Sequence, residues 1–235
     1  MIQDDDDTRA VRRAVRSYVL RAGRMTAAQA RALDTLMPRY GLTVRDLGTP
    51  RASFARPLPL HFEIGIGNGE NLLAMAVARP DRAFIGCEVH RPGLGHLLNR
   101  LDTLGLDNLR VVEADAWQAL AALPDASLAG AYMFFPDPWP KKRHHKRRLL
   151  SQEFLALLAG KCAPQACFFF ASDDADYAEQ ARTTLAGAPA WLNLAGNAAW
   201  APRPRRRIVT RFEARARRAG RAVYELVAAR APSTV

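Results

Sequence analysis

The feature that most constrains this chain is a repeated alternation of short apolar runs with amphipathic segments of about ten residues. LHFEIGI (60–66), AFIGCEV (83–89), LRVVEAD (109–115), LAGAYMFF (128–135) and ACFFFAS (166–172) are too short and too rich in β-branched and aromatic residues for helices. NLLAMAVAR (71–79), HLLNRLDTLGL (96–106) and segments at about 116–122, 147–160 and 174–186 carry helical periodicity. Strands separated by helices read as βαβ units, which predicts an α/β fold of the Rossmann-like kind, with a mostly parallel sheet covered by helices on both faces. Ligands of such sheets sit beyond the carboxyl ends of the strands, so the residues just after each run carry the functional information.

The flanks are less regular. Residues 1–24 combine Asp4 to Asp7 with Arg9, Arg12, Arg13, Arg16, Arg21 and Arg24 without a consistent apolar face, which reads as a flexible charged arm preceding a single domain over 25–235. Thr26 is placed to cap a helix that stops at Gly41. After about residue 190 the chain reads as irregular up to TRFEARARRAG, a short helix ending at Gly220, followed by AVYELVAAR, a closing strand.

The first run ends in Glu63, Gly65, Gly67 and Gly69, then Glu70. Alternate glycines let backbone approach a ligand, but a dinucleotide fingerprint needs glycine at 70, where the acid would repel a pyrophosphate. The second run ends in Glu88, 19 residues after Gly69, where a carboxylate accepts hydrogen bonds from ribose hydroxyls; it could equally be an ordinary exposed Glu. The third ends in Asp115, either an acceptor for an adenine amino group or a helix N-cap. Together the three acids describe a site for an adenosine without phosphates and with a positive charge, which S-adenosylmethionine is. The fourth run delivers Pro136-Asp137-Pro138-Trp139, a carboxylate held by two prolines where the methyl group would sit.

Positive charge follows directly. Lys141, Lys142, Arg143, Lys146, Arg147 and Arg148, with His144 and His145 among them, abut the Asp137 loop; a solvated face has no need of that position. Arg203, Arg205, Arg206 and Arg207 form a second cluster before Thr210. With a formal net charge of +11, the chain suits a polyanionic partner, nucleic acid or an anionic membrane. The basic residues are 30 Arg against 4 Lys, an excess that suits bidentate phosphate contacts and that a biased genome composition would also produce. Thr210-x-x-Glu213 is a complete capping box, and Phe212 reads as core or as a stacking surface.

Three cysteines, Cys87, Cys162 and Cys167, form no even disulfide framework, and His and Cys lack metal-ligand spacing. No run approaches the roughly 18 apolar residues of a membrane span, and the acidic N-terminus is unlike a secretory or transit peptide, so a cytoplasmic protein is expected, without metal or membrane.

The motifs EIGIGNGE, GCEVHRPG, ADA, FFPDPWPKKRHHKRR, SDDADYA and TRFE make the chain resemble the bacterial tRNA (guanine-N7)-methyltransferases over roughly residues 50–229. The resemblance implies methyl transfer from S-adenosylmethionine to N7 of the guanine at position 46 in the tRNA variable loop. It also implies that Glu63, Glu88, Asp115 and Asp137 bind the cofactor, beside the glycine loop, and that Asp137 is the catalytic residue. Lys141, Asp173, Thr210, Arg211, Phe212 and Glu213 match the family's substrate-binding positions; the run Lys142, Arg143, His144, Lys146, Arg147 and Arg148 would face the RNA backbone. Ser172 stands where the family usually has Thr, which removes no charge. Monomer and homodimer both remain open. The rival readings are an RNA-binding protein with a decayed cofactor fold, and a methyltransferase for a small molecule or protein.

Overall fold

The computed structural model describes Tyr18 and residues 24–196, 199–205 and 207–232. The expected charged arm lies outside these residues except for Tyr18 and Arg24, and so does Arg206.

Helix α1 (Ala27–Tyr40) starts at a capping box: Thr26 accepts from the Gln29 amide at 3.2 Å and Gln29 accepts from the Thr26 amide at 2.9 Å. It runs into a two-residue edge strand, β1 (Gly41–Leu42). Then come β2 (Leu60–Ile64), α2 (Glu70–Ala78), β3 (Ala83–Glu88), α3 (Arg91–Leu104), β4 (Leu109–Glu113), α4 (Ala116–Ala122) and β5 (Leu128–Phe134). After a 3-10 turn over Lys142–Arg147 the chain forms α5 (Gln152–Lys161), β6 (Cys162–Ser172), α6 (Ala175–Ala186), β7 (Trp191–Asn193), α7 (Arg211–Arg218) and β8 (Tyr224–Arg230).

Among the described residues eight strands join one sheet in the order β1-β4-β3-β2-β5-β6-β8-β7. The pairings from β1 to β6 are parallel, and β8 runs antiparallel to both β6 and β7. Alternate residues of one strand enter different cores, as a sheet covered on both faces requires. Phe84 and Val111 pack with α1, α2 and α3, whereas Ile85 and Val112 face the layer of α4, α5 and α6.

Several boundaries differ from the sequence reading, among them the start of β6, which lies at Cys162 and not at residue 166. Helix α3 starts five residues before His96, because Pro92 at its first turn presets the backbone and Gly93 and Gly95 are buried under neighbouring chain. The expected helix over 147–160 begins only at Gln152, capped by Ser151; the preceding basic run is a 3-10 turn. The stretch after residue 190 contributes the edge strand β7, which pairs with β8. Among the described residues no helix is long and apolar enough to cross a membrane.

Candidate active site

Strand β2 has β3 on one side and β5 on the other, and the chain reverses its direction of travel across the sheet there. This switch point opens a crevice at the carboxyl ends of the strands. The crevice is a cavity of about 650 Å³ whose lining includes Glu63, Gly67, Glu88, Asp115, Asp137 and Phe212. Strand polarity therefore brings together all four acids that the sequence places at strand ends.

The glycine loop needs its glycines. Gly65, Gly67 and Gly69 have φ of +69°, +58° and +71°, a region that side chains with a Cβ disfavour. A Cβ on Gly93, at the start of α3, would stand 2.1 Å from the Gly67 carbonyl oxygen, so α3 packs directly on the loop. Gly69 caps α2 from behind, against Leu97, rather than facing the cavity. Glu88 fixes the loop from the other side. One of its oxygens accepts from the Gly67 amide at 2.7 Å, and the other from the Val89 and His90 amides at 2.7 and 2.9 Å.

Each remaining acid has a distinct environment. Asp115 is the N-cap of α4, accepting from the Trp117 amide at 2.9 Å, so capping and a place on the cavity wall coexist. Glu63 is buried and, among the described residues, has only Asn71 Nδ2 as a donor, at 3.3 Å; burial pushes its carboxyl up to about 8. Asp137 is exposed on a sharply bent loop. Phe135 and Trp139 on either side have φ of +52° and +48°, a costly conformation for aromatic residues. The bends are held: the Phe135 amide donates to Ala171 O at 2.8 Å, Pro138 O accepts from Arg148 Nε at 2.8 Å, and Trp139 is buried beneath the Arg147 guanidinium, 4.8 Å from its ring centre.

Residues 57–226 match the model of a family described as putative methyltransferase. A tRNA (guanine-N(7)-)-methyltransferase from Nitrosococcus oceani is 49% identical over 219 residues, covering 91% of this chain and 90% of the relative. One of the same description from Methylococcus capsulatus is 48% identical, covering 92% and 94%. The chain belongs to the tRNA (guanine-N7)-methyltransferase family. Solved structures agree on the fold: the 16S rRNA methyltransferase KamB superposes with a TM-score of 0.53 at 16% identity, covering 90% of this chain and 97% of that one. The 16S rRNA (adenine(1408)-N(1))-methyltransferase of Catenulisporales acidiphilia gives 0.52 at 16%, covering 83% and 94%.

S-adenosylmethionine is the methyl donor of this family, and the residues present fit it. A Cβ on Gly65 would meet nothing within 4 Å, so the loop leaves open space in front of it, and the surrounding acids favour a cation and disfavour phosphates. Glu63 and Glu88, with Asp115, would hold the donor, and Asp137 would face its methyl end.

The TRFE stretch of this family member sits on the opposite lip. Thr210 caps α7 by accepting from the Glu213 amide at 3.3 Å, and Thr210, Arg211 and Phe212 line the cavity. Phe212 is 41% exposed, stacked on Phe135 with ring centres 6.4 Å apart, so it is a surface platform and not core. The Arg211 amide donates to Glu70 at 3.1 Å and its guanidinium to Asn68 at 3.2 Å, tying α7 to the glycine loop.

Several expected contacts are placed elsewhere. Glu213 is fully buried, and its carboxylate, rather than reaching back to its cap, meets Arg203 at 3.0 Å, Arg207 at 2.7 Å and Arg217. Arg207 also pairs with buried Glu225, whose carboxyl burial raises against the pull of Arg207. Arg203 and Arg207 thus form an internal strut, leaving Arg205 as the exposed described member of the second cluster. Arg148 departs from the RNA-facing expectation in the same way: its side chain is 2% exposed, bound to Pro138, Gln180 and Asp176, and lies over the Tyr177 ring. Lys141, Lys142, Arg143 and Lys146 are exposed and outside the cavity; the half-buried Asp173 carboxylate, which Arg221 holds at 2.8 Å, is also outside it. His144 is pushed below the ordinary histidine value by desolvation and then by the cations around it. Sequence reasoning missed Tyr18, Asn71, Phe135, Arg215 and Arg218 on the cavity wall. Helical spacing from Arg211 was the signal available for the last two. Among the described residues no cluster of His, Cys, Asp and Glu could hold a metal ion.

Proposed function

We propose that this chain transfers the methyl group of S-adenosylmethionine to N7 of the guanine at position 46 in the variable loop of tRNA. The observation that carries it is one cavity lined by both the glycine loop with its acids and the bent Asp137 loop, from which the exposed basic run continues directly. Relatives 44–49% identical over nearly their whole lengths, described as tRNA (guanine-N(7)-)-methyltransferases, support the substrate. The protein works in the cytoplasm, as a monomer or homodimer.

S-adenosylmethionine supplies an electrophilic methyl on a positively charged sulfur. Guanine N7 has a free lone pair, so no proton has to be removed before the new N–C bond forms and the S–C bond breaks. Positive charge passes from sulfur to base. Asp137 is therefore not a strong base; it accepts from the Watson–Crick edge donors of the guanine, fixes N7 in line, and stabilises the base as it becomes cationic. The bent, twice-anchored loop keeps its carboxylate in place between turnovers, which is the form that preorganisation takes here. Phe212 offers a face for the base, and Lys141, Lys142, Arg143, Lys146 and Arg147 hold phosphates, with Asp173, Thr210 and Arg211 at the edges of the substrate.

The test is methyl transfer from labelled S-adenosylmethionine to unmodified tRNA with nucleoside analysis, beside a tRNA carrying adenine at the variable-loop guanine. Label in 7-methylguanosine that disappears with the replacement is expected. Asp137→Asn should lower kcat by about 100-fold or more; wild-type turnover in that variant sinks the role given to Asp137.

A further inference from the structure

The region around α7 is crowded with arginines, and most of them are structural. Arg203, Arg207 and Arg217 converge on Glu213, Arg221 is bound to Asp173, and Arg211 is tied to Asn68. Arg215 and Arg218 differ. Both are exposed, both line the cavity that holds Asp137, and among the described residues neither has an acidic partner.

Their spacing makes this unfavourable for the free protein. Arg211, Arg215 and Arg218 are related by i, i+4 and i+7, one stripe of a helix, and like charges so spaced repel one another. Glu213, the acid within α7, is turned away from that stripe into the buried strut. The charged residues that α7 presents to the cavity are thereby all cationic, beside the Phe212 ring. Cations in a last turn complement the helix dipole, but Arg217 already stands there and does not line the cavity.

We propose that Arg215 and Arg218 are phosphate-binding residues for the RNA nucleotides flanking the target guanine, forming a second basic wall that acts with the Lys141–Arg147 run so that the strand is gripped on both sides of the Asp137 loop. This rests on the tRNA reading above. The cavity acids already favour the cationic cofactor, and these two arginines lie on an exposed helix face, where an extended polyanion can reach them. The same anion chemistry could come from the carboxylate of S-adenosylmethionine, and the two sources separate experimentally.

The experiment uses the full chain and its Arg215→Gln, Arg218→Gln and double variants, with Arg45→Gln, an exposed cation outside the cavity, as control. Affinity for unmodified tRNA is measured across salt concentrations by fluorescence anisotropy, and S-adenosylhomocysteine binding by calorimetry. Each single variant should reduce the slope of log K against log salt by about 0.7–0.9, and the double variant by about twice that. tRNA affinity at moderate salt should fall several-fold, with KM for tRNA following it. S-adenosylhomocysteine affinity and kcat at saturating tRNA should stay within about twofold, and Arg45→Gln should leave every reading unchanged. Lysine at both positions should restore the slope, which a purely structural role does not require. Unchanged slopes in the double variant overturn the proposal, as does loss of S-adenosylhomocysteine affinity with tRNA binding intact. Failure of the tRNA reading looks different: the unaltered protein then places no label on tRNA.

Discussion

Replacing Glu63 with glutamine is expected to stabilise the protein and weaken its hold on the cofactor at the same time. The carboxyl is 3% exposed, receives one hydrogen bond, from Asn71, and is raised by burial from 4.5 to about 8. The folded state therefore keeps the proton between roughly pH 4.5 and 8 while the unfolded chain loses it, so stability falls as pH rises through that window. At 1.36 kcal/mol per unit, ionising this group within the fold costs on the order of 4 kcal/mol by pH 8. A glutamine there would have the same size, could still accept from Asn71, and has nothing to ionise. Its advantage should grow with pH and reach a Tm increase of about 10 °C near pH 8 for a domain of this size. Under the proposed function, a cofactor cation beside Glu63 would draw its proton off. Wild-type affinity for S-adenosylmethionine should thus tighten between pH 6 and 8, by up to about tenfold per unit, while the Glu63→Gln variant binds more weakly with a flat profile. Scanning fluorimetry and calorimetry over pH 6–8.5 read both effects. A variant that melts below the wild type at pH 8, or a flat wild-type binding profile, would refute the placement of a buried, proton-holding acid at the cofactor site.

Gly93→Ala should cost more than about 2 kcal/mol and abolish cofactor binding, because the new Cβ lands 2.1 Å from the Gly67 carbonyl; a thermal melt within 1 °C of wild type contradicts that packing. His61, held at about 4 by burial and then by Arg82, is bonded to the Tyr132 hydroxyl at 2.9 Å. It remains neutral when folded while the unfolded chain protonates, so stability should drop by up to about 3 kcal/mol from pH 6.5 to 4. His61→Gln should flatten that acid limb even if it lowers Tm at pH 7, and an equally steep limb in the variant assigns the loss elsewhere. Arg207→Ala strands the buried carboxylate of Glu225 and takes one of three guanidinium partners from Glu213, and should cost about 3–5 kcal/mol, with amide exchange over Arg211–Arg218 accelerating first; uniform exchange would show that α7 does not depend on the strut.

The fold was legible because its signal is local. Apolar runs of seven or eight residues and the helices between them survive without tertiary context, and strand polarity then forces Glu63, Glu88, Asp115 and Asp137 to one edge. What was not legible depends on partners far apart in sequence. Nothing near Arg148 in the chain announces that Asp176 and Gln180 will draw it inward, and nothing near Glu213 announces Arg203 and Arg207. A basic run read in one dimension is uniformly exposed; in three dimensions some of its members become struts. The capping box at Thr26 closed as its spacing requires, whereas the one at Thr210 closed only by half, because a carboxylate with three guanidinium partners has no reason to return to a backbone amide. Phe135 escaped notice because its importance is conformational, a left-handed bend that composition does not display.

The seam between α7 and the glycine loop has a thermodynamic consequence. The Glu70 carboxylate and the Asn68 amide bind Arg211, and Phe212 lies 3.7 Å from where a Gly67 Cβ would stand, so the peptide segment that receives one ligand also seats the helix that receives the other. Under the proposed function, any settling of that segment on occupancy by the first ligand would reach the second site without an intervening relay. Linkage then makes the effect symmetrical: a given factor by which the methyl donor sharpens affinity for RNA is the factor by which RNA sharpens affinity for the donor.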